Sequence, residues 1–192
     1  MSEVDRHAAD TVGVSFSEDL AYCLYARDAW GIATPTASQI PLCSPEVAST
    51  RSRAGIPSAQ TEDLGPGWES WWRAGVGECV DRVVPADRPE RQLPDDLASP
   101  DVQQAFRALY PEAREWMTQR KAEHIQLMRL TRTPRMRTAV LGLRPGDLFI
   151  VCIPVESSFG QLISPNHVLV SPALYGDQPG FLDWLGTTLT AS

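Results

Sequence analysis

The sequence is poor in the features that mark membrane-spanning and nucleotide-hydrolysing proteins. Its only lysine, Lys121, is followed by Ala122, so the chain has no Gly-x-x-x-x-Gly-Lys-[Ser/Thr] loop to cradle phosphates. The Gly-x-Gly-x-x-Gly and Gly-x-Ser-x-Gly motifs are absent too. Apolar runs extend over only a few residues, far below the roughly 20 needed to cross a bilayer. We therefore expect no membrane span and no nucleotide hydrolysis by that route.

The sequence also lacks the clustered ligands that a metal site requires. Its four cysteines form no Cys-x-x-Cys pair, and its three histidines have no metal-ligand spacing to one another. The neighbours of Cys23 and Cys152 are apolar, which is typical of buried free thiols. The acidic residues 1–5 also lack the basic and then apolar pattern of a secretory signal. These absences predict a cytoplasmic protein with no metal and no other cofactor.

The length of 192 residues favours a single domain spanning 1–192. A chain of this size buries about 70% of its surface on folding, so it needs no disulfide or metal to hold it together. Residues 1–13 are polar and unpatterned, and we expect them to be frayed. Segments 31–66 and 85–98 are rich in Pro and polar residues, which predicts long loops or connectors.

Helix signals dominate the first two thirds of the chain. Ser17 is a predicted N-cap, and Gly31 is the matching stop. A second helix is expected to start after Gly67, a third at Ser99, and a fourth at Pro111. The sequence Ser-Pro-Glu at 44–46 also predicts a short helix inside the 31–66 loop.

Strand signals follow residue 134. Segments 136–143 and 148–155 flank a Pro-Gly turn and are predicted to pair as a hairpin, and 161–163 is predicted to pair with 167–170. A final amphipathic helix is predicted to begin near Pro179. Helices followed by strands indicate the α+β class: a helical N-terminal half packed on a small, mainly antiparallel C-terminal sheet, with a C-terminal helix.

Trp68, Trp71 and Trp72 are the most unusual cluster. On a helix they fall at positions i, i+3 and i+4, so the three rings share one face. Such a face is typical of a core, because large rings bury much area. It could also form a recognition surface or line a ligand pocket. The sequence leaves these alternatives open and favours the core.

Charge is distributed unevenly. The net charge is −7, yet residues 107–144 hold nine basic and three acidic residues. Within this island Arg129, Arg132, Arg135 and Arg137 are the candidate residues for binding an anionic partner, because guanidinium groups form paired hydrogen bonds with carboxylates and phosphates. The alternative is a solvated surface neutralised by the protein's own acids. The overall acidity argues against a general nucleic-acid binder.

The only nucleophile and base that the predicted strands could bring together are Cys152 and His167, with Asp177 or Asp183 to orient the ring. Cys152 lies in an apolar run, where a thiol is hard to ionise. His124 lies on a helical apolar stripe and is expected to be structural. We therefore assign no catalytic residue, and the sequence leans against an enzyme without deciding the question.

The resulting hypothesis is a non-catalytic intracellular protein that binds another protein through an acidic surface and the tryptophan cluster. An inhibitor or immunity-type protein is one form of it, because an acidic face complements a basic toxin. Two alternatives stay open: a small-molecule-binding protein or enzyme with a Trp-lined pocket, and a nucleic-acid-associated factor that uses the arginines between 129 and 137.

Overall fold

The structure is a computed structural model that describes residues 11–49, 61–81 and 100–190. Within these ranges the elements, in chain order, are β1 (Val12–Phe16), α1 (Glu18–Trp30), a 3-10 turn (Ala37–Gln39), α2 (Thr61–Asp81), α3 (Pro100–Thr131), α4 (Pro134–Leu143), β2 (Leu148–Cys152), β3 (Gly160–Ser164), β4 (His167–Val170), α5 (Pro172–Gly176) and α6 (Gln178–Thr190).

The predicted α+β class is confirmed, but the sheet is mixed rather than mainly antiparallel. Its strand order is β1-β2-β4-β3. Strand β2 pairs in parallel with both β1 and β4, and only the β3–β4 pair is antiparallel. The difference arises from two parallel pairs: β2 with β4, and β2 with β1. We did not predict β1, and its Val12 lies within the segment expected to be frayed. A parallel partner requires a long crossover, and here α1 to α4 provide it.

Strands β3 and β4 confirm the predicted pairing of 161–163 with 167–170. The other predicted hairpin is wrong, because residues 134–143 form helix α4. Thr133 caps this helix by accepting a hydrogen bond from the Met136 amide at 3.1 Å. Pro134 occupies the first turn, where its fixed φ favours a helix. Strand β2 therefore pairs with β1 and β4 instead.

The helices begin and end partly as predicted. Ser17 caps α1, and Gly31 ends it with a φ of 59°. Helix α2 begins at Thr61, so the predicted 31–66 loop is too long at its C-terminal end, and Pro66 lies inside the helix. Helix α3 continues through Pro111 and does not break there.

Two other predicted features are only partly described. Residues 44–49 are not helical, so the predicted helix at Ser44 does not begin there. The predicted connector 85–98 lies outside the described residues, as do the first ten residues of the frayed segment.

Two apolar cores lie on opposite faces of the sheet. The first joins α1, α2 and α3 to Val151, Ile153 and Leu169. The second joins α4, α5 and α6 to the alternate residues of the same strands, such as Ile150 and Val168. Because successive side chains of a strand point to opposite faces, the central strands β2 and β4 are covered on both sides. Edge strand β1 sends Val12 and Val14 into the second core.

Arg27 ties the segment after α1 to that helix from a position that is only 2% exposed. Its Nη1 donates to the carbonyl of Ile40 at 2.8 Å, and its Nη2 to that of Pro41 at 2.7 Å. Its Nε bonds the Asp28 carboxylate at 2.5 Å, which in turn accepts from the Cys43 amide at 2.6 Å. A buried guanidinium thus satisfies carbonyls that the non-helical segment leaves unpaired.

Candidate functional site

The tryptophan cluster lies in the first core. Trp68, Trp71 and Trp72 are 0%, 7% and 6% exposed. The Trp68 indole Nε1 donates to the carbonyl of Cys23 at 2.7 Å, and its ring stacks on Trp72 with centroids 5.7 Å apart. The burial of the three rings agrees with the core that the sequence favours; the recognition surface and the Trp-lined pocket stay predictions. Helix α2 turns the shared face of its rings onto α1, because that burial removes the largest apolar area from water.

Cys152 and His167 are not brought together. Cys152 faces the second core, whereas His167 pairs in register with Phe149 and stacks on its ring at 4.8 Å. Residues 149 and 152 of one strand point to opposite faces. Burial also raises the pKa of the Cys152 thiol to about 12, which keeps it protonated near neutral pH.

His167 is instead held within its own hairpin. Its Nδ1 lies 2.9 Å from Ser164 Oγ and 2.9 Å from Asn166 Oδ1. A nucleophile–base–orienter set needs the base to use one ring nitrogen for the nucleophile and the other for the orienting group. Here both neighbours share one nitrogen, so the arrangement orders the β3–β4 turn.

A groove along the outer edge of β1 is the candidate site that the described residues form. Helix α4 and the C-terminal third of α3 flank that edge, and two adjoining hollows of about 610 Å³ and 440 Å³ lie between them and the strand. The two hollows share Val14 and Arg132. We call this surface the arginine groove, defined by Val12, Val14, Arg129, Arg132, Met136 and Arg137.

The groove brings together three of the four arginines that we proposed from the sequence. Arg129 comes from the last turn of α3, Arg132 directly follows that helix, and Arg137 comes from α4. All three are exposed. Arg135 is also exposed, but it lines neither hollow. Arg135 and Arg137 lie two residues apart on α4, about 200° round the helix from one another, so they point to different sides.

Arg129 and Arg132 differ from two other cations of α3 in their ion pairing. Arg120 pairs with Glu123 at 2.8 Å, and Lys121 pairs with Glu18. No carboxylate in the described part of the chain forms a salt bridge with Arg129 or Arg132. The alternative of a solvated surface that the protein's own acids neutralise stays a prediction, because charges also act on one another without direct contact.

His124 forms part of the second hollow and was expected to be structural. It is 7% exposed and packs against Phe16, with ring centroids 5.7 Å apart. Its Nδ1 has no hydrogen-bond partner among the described residues. Desolvation lowers the pKa of this imidazole, so the ring is neutral at pH 7. It adds no charge to the groove.

The described ranges contain neither a group of metal ligands nor a helix able to cross a membrane. No group of three or more histidine, cysteine or acidic residues there is close enough to hold a metal ion. None of the helices there combines the length and the apolarity that a membrane crossing requires.

Sequence reasoning missed the strand side of the groove. Residues 12–16, Val-Gly-Val-Ser-Phe, alternate in polarity, and this was the available signal.

Compared with protein-family models, curated proteins and solved structures, the chain shows no significant match to any of them.

Proposed function

We propose that this protein is a non-catalytic recognition protein that binds an acidic segment of a partner protein in the arginine groove. One observation carries the proposal: Arg129 and Arg132 form no salt bridge with a carboxylate of the described residues, and they lie beside a strand edge with apolar side chains. Carboxylates are the natural complement of exposed guanidinium groups, which bind them through two parallel hydrogen bonds.

The apolar surroundings of the groove favour a protein partner. Val14 and Met128 line it, and Ile125 on its α3 side is 44% exposed. Leu130, on the next stripe of α3, is 76% exposed. Exposed apolar side chains next to charged ones are typical of protein interfaces, where an apolar centre supplies affinity and charges steer the encounter.

A nucleic acid is the second candidate, supported by the same arginines. Single-strand binders usually add aromatic side chains on which bases stack. Among the described residues that line the two hollows, Tyr175 is the only Phe, Tyr or Trp, and it is 2% exposed. This feature favours the protein partner.

The test is a binding assay with three probes. Fluorescence anisotropy would follow a labelled peptide of roughly seven residues, alternating glutamate and valine, a length chosen to span β1 at about 3.3 Å per residue. The second probe replaces glutamate with lysine, and the third is a single-stranded oligonucleotide of equal net charge. We expect the glutamate peptide to bind best, with an affinity that falls as salt is added.

Matched variants locate the binding. Replacing both Arg129 and Arg132 with alanine should weaken glutamate-peptide binding by about tenfold or more, equivalent to roughly 1.4 kcal/mol. Arg135→Ala removes one positive charge of the same kind outside both hollows and should change affinity by less than about twofold. Tighter binding of the oligonucleotide, or equal binding of the two peptides, would contradict the proposal.

A further inference from the structure

The backbone of β1 presents hydrogen-bonding groups to the arginine groove. The Leu148 amide donates to the carbonyl of Thr11 at 2.9 Å, and the register pairs Val12 with Leu148 in parallel. In a parallel ladder alternate residues bond the partner strand. Gly13 and Ser15 therefore continue the bonding towards β2, and the amides and carbonyls of Val12 and Val14 point away from the sheet.

These outward groups have no partner in the described ranges. Strand β1 is the last strand of the sheet, and no described strand, loop or side chain hydrogen-bonds the backbone of Val12 or Val14 on that side. The same two residues line the hollows of the groove. An unpaired strand edge is a template for pairing with another chain.

The charges on the flanking helices indicate what can pair there. Val12, Val14 and Met136 pack in the second core, so α4 lies on that side of the sheet, and Arg137 lines the hollow beside them. Arg132 lines both hollows. On an added strand, alternate side chains point to the same side, so every second residue would face these guanidinium groups.

We infer that the partner binds as an added β-strand along Val12–Val14, with acidic side chains at alternate positions directed towards Arg132 and Arg137. This inference rests on the proposed function and specifies its geometry: main-chain hydrogen bonds supply affinity, and the arginines select an acidic sequence. Side chains on the other face of the added strand are not selected by charge.

N-methylated peptides separate strand addition from simple charge attraction. Methylating a backbone amide removes a hydrogen-bond donor and leaves every side-chain charge in place. Two versions of the glutamate–valine peptide would be made, one methylated at the odd amides and the other at the even amides. Only one set of amides faces β1, so one version should lose about tenfold or more in affinity, and the other should bind much as the parent does.

The outcomes distinguish this inference from the function on which it rests. If both methylated peptides bind as tightly as the parent, strand addition is wrong and charge recognition stands. If the parent peptide itself fails to bind, both proposals fall.

Amide hydrogen exchange by NMR gives a second measurement without any variant. In the free protein the outward amides of Val12 and Val14 should exchange fast, and those of Gly13 and Ser15 slowly. In the complex with the parent peptide all four should be protected. Unchanged exchange at Val12 and Val14 in the saturated complex would overturn the inference.

Discussion

Replacing Trp68 tests whether the tryptophan cluster is a core or a contact surface. Its ring is fully buried, stacks on Trp72 and donates to the carbonyl of Cys23. Trp68→Ala should lower the free energy of unfolding by about 3–5 kcal/mol, because it leaves a large cavity. Trp68→Phe keeps most of the ring and loses the indole hydrogen bond, so it should cost roughly 1–2 kcal/mol.

Urea unfolding followed by circular dichroism measures both losses. With a slope of about 2 kcal/mol per molar urea, Trp68→Ala should lower the midpoint by about 2 M. Leu130→Ala is the matched control: its side chain is 76% exposed, so its midpoint should shift little. The reasoning is refuted if Trp68→Ala unfolds at the wild-type midpoint and fails to bind the glutamate peptide, since a contact residue behaves in that way.

Three further predictions concern stability. Arg27→Met should cost about 3–5 kcal/mol in urea unfolding, because Asp28 would be left as a buried charge without its partner; a loss below about 1 kcal/mol would contradict this. In Gly160→Ala the new Cβ would lie 2.4 Å from the Trp184 ring, so the free energy of unfolding should fall by roughly 1–3 kcal/mol. In Gly142→Ala the new Cβ in α4 meets nothing within 4 Å, so the free energy of unfolding should rise by about 0.5–1 kcal/mol. Equal melting temperatures of the two variants would refute the contrast. The pKa of His124 is lowered in the folded protein, so as the pH falls the imidazole is protonated in the unfolded chain first. The contribution of His124 to the free energy of unfolding is therefore complete above about pH 6.5 and decreases as the pH falls below it. His124→Gln should reduce the stability lost between pH 7.5 and 5.5, and an unchanged loss would contradict the lowered pKa.

Sequence signals predicted those elements whose causes are local. Ser17 and Gly31 fixed the ends of α1 because a cap acts within one turn of the helix. The same rule was available for α4, where Thr133 and Pro134 form an N-terminal signal. The apolar residues between 140 and 143 were interpreted as a strand instead, because a short apolar run does not separate helix from strand by its period.

Strand β1 could not be predicted in the same way, because its stability comes from a distant partner. Five residues with one half-exposed face carry little information of their own, and the sheet places them beside β2 only after four helices. The candidate site shows the same division. The sequence shows the arginines as a charge cluster. The groove that brings Arg129, Arg132 and Arg137 together depends on β1 and on the break between α3 and α4.

The pairing of β1 with β2 also has a consequence for biosynthesis. Thr11 and Asp147, which are hydrogen-bonded at 2.8 Å, are 136 residues apart in the chain. Val12 and Val14 therefore leave the ribosome long before β2, the strand that pairs with them. The sheet can form only when most of the chain has been translated. Closure over such a separation is slow compared with helix formation. A nascent chain that stalls before residue 148 would expose β1 along both edges, a template for aggregation.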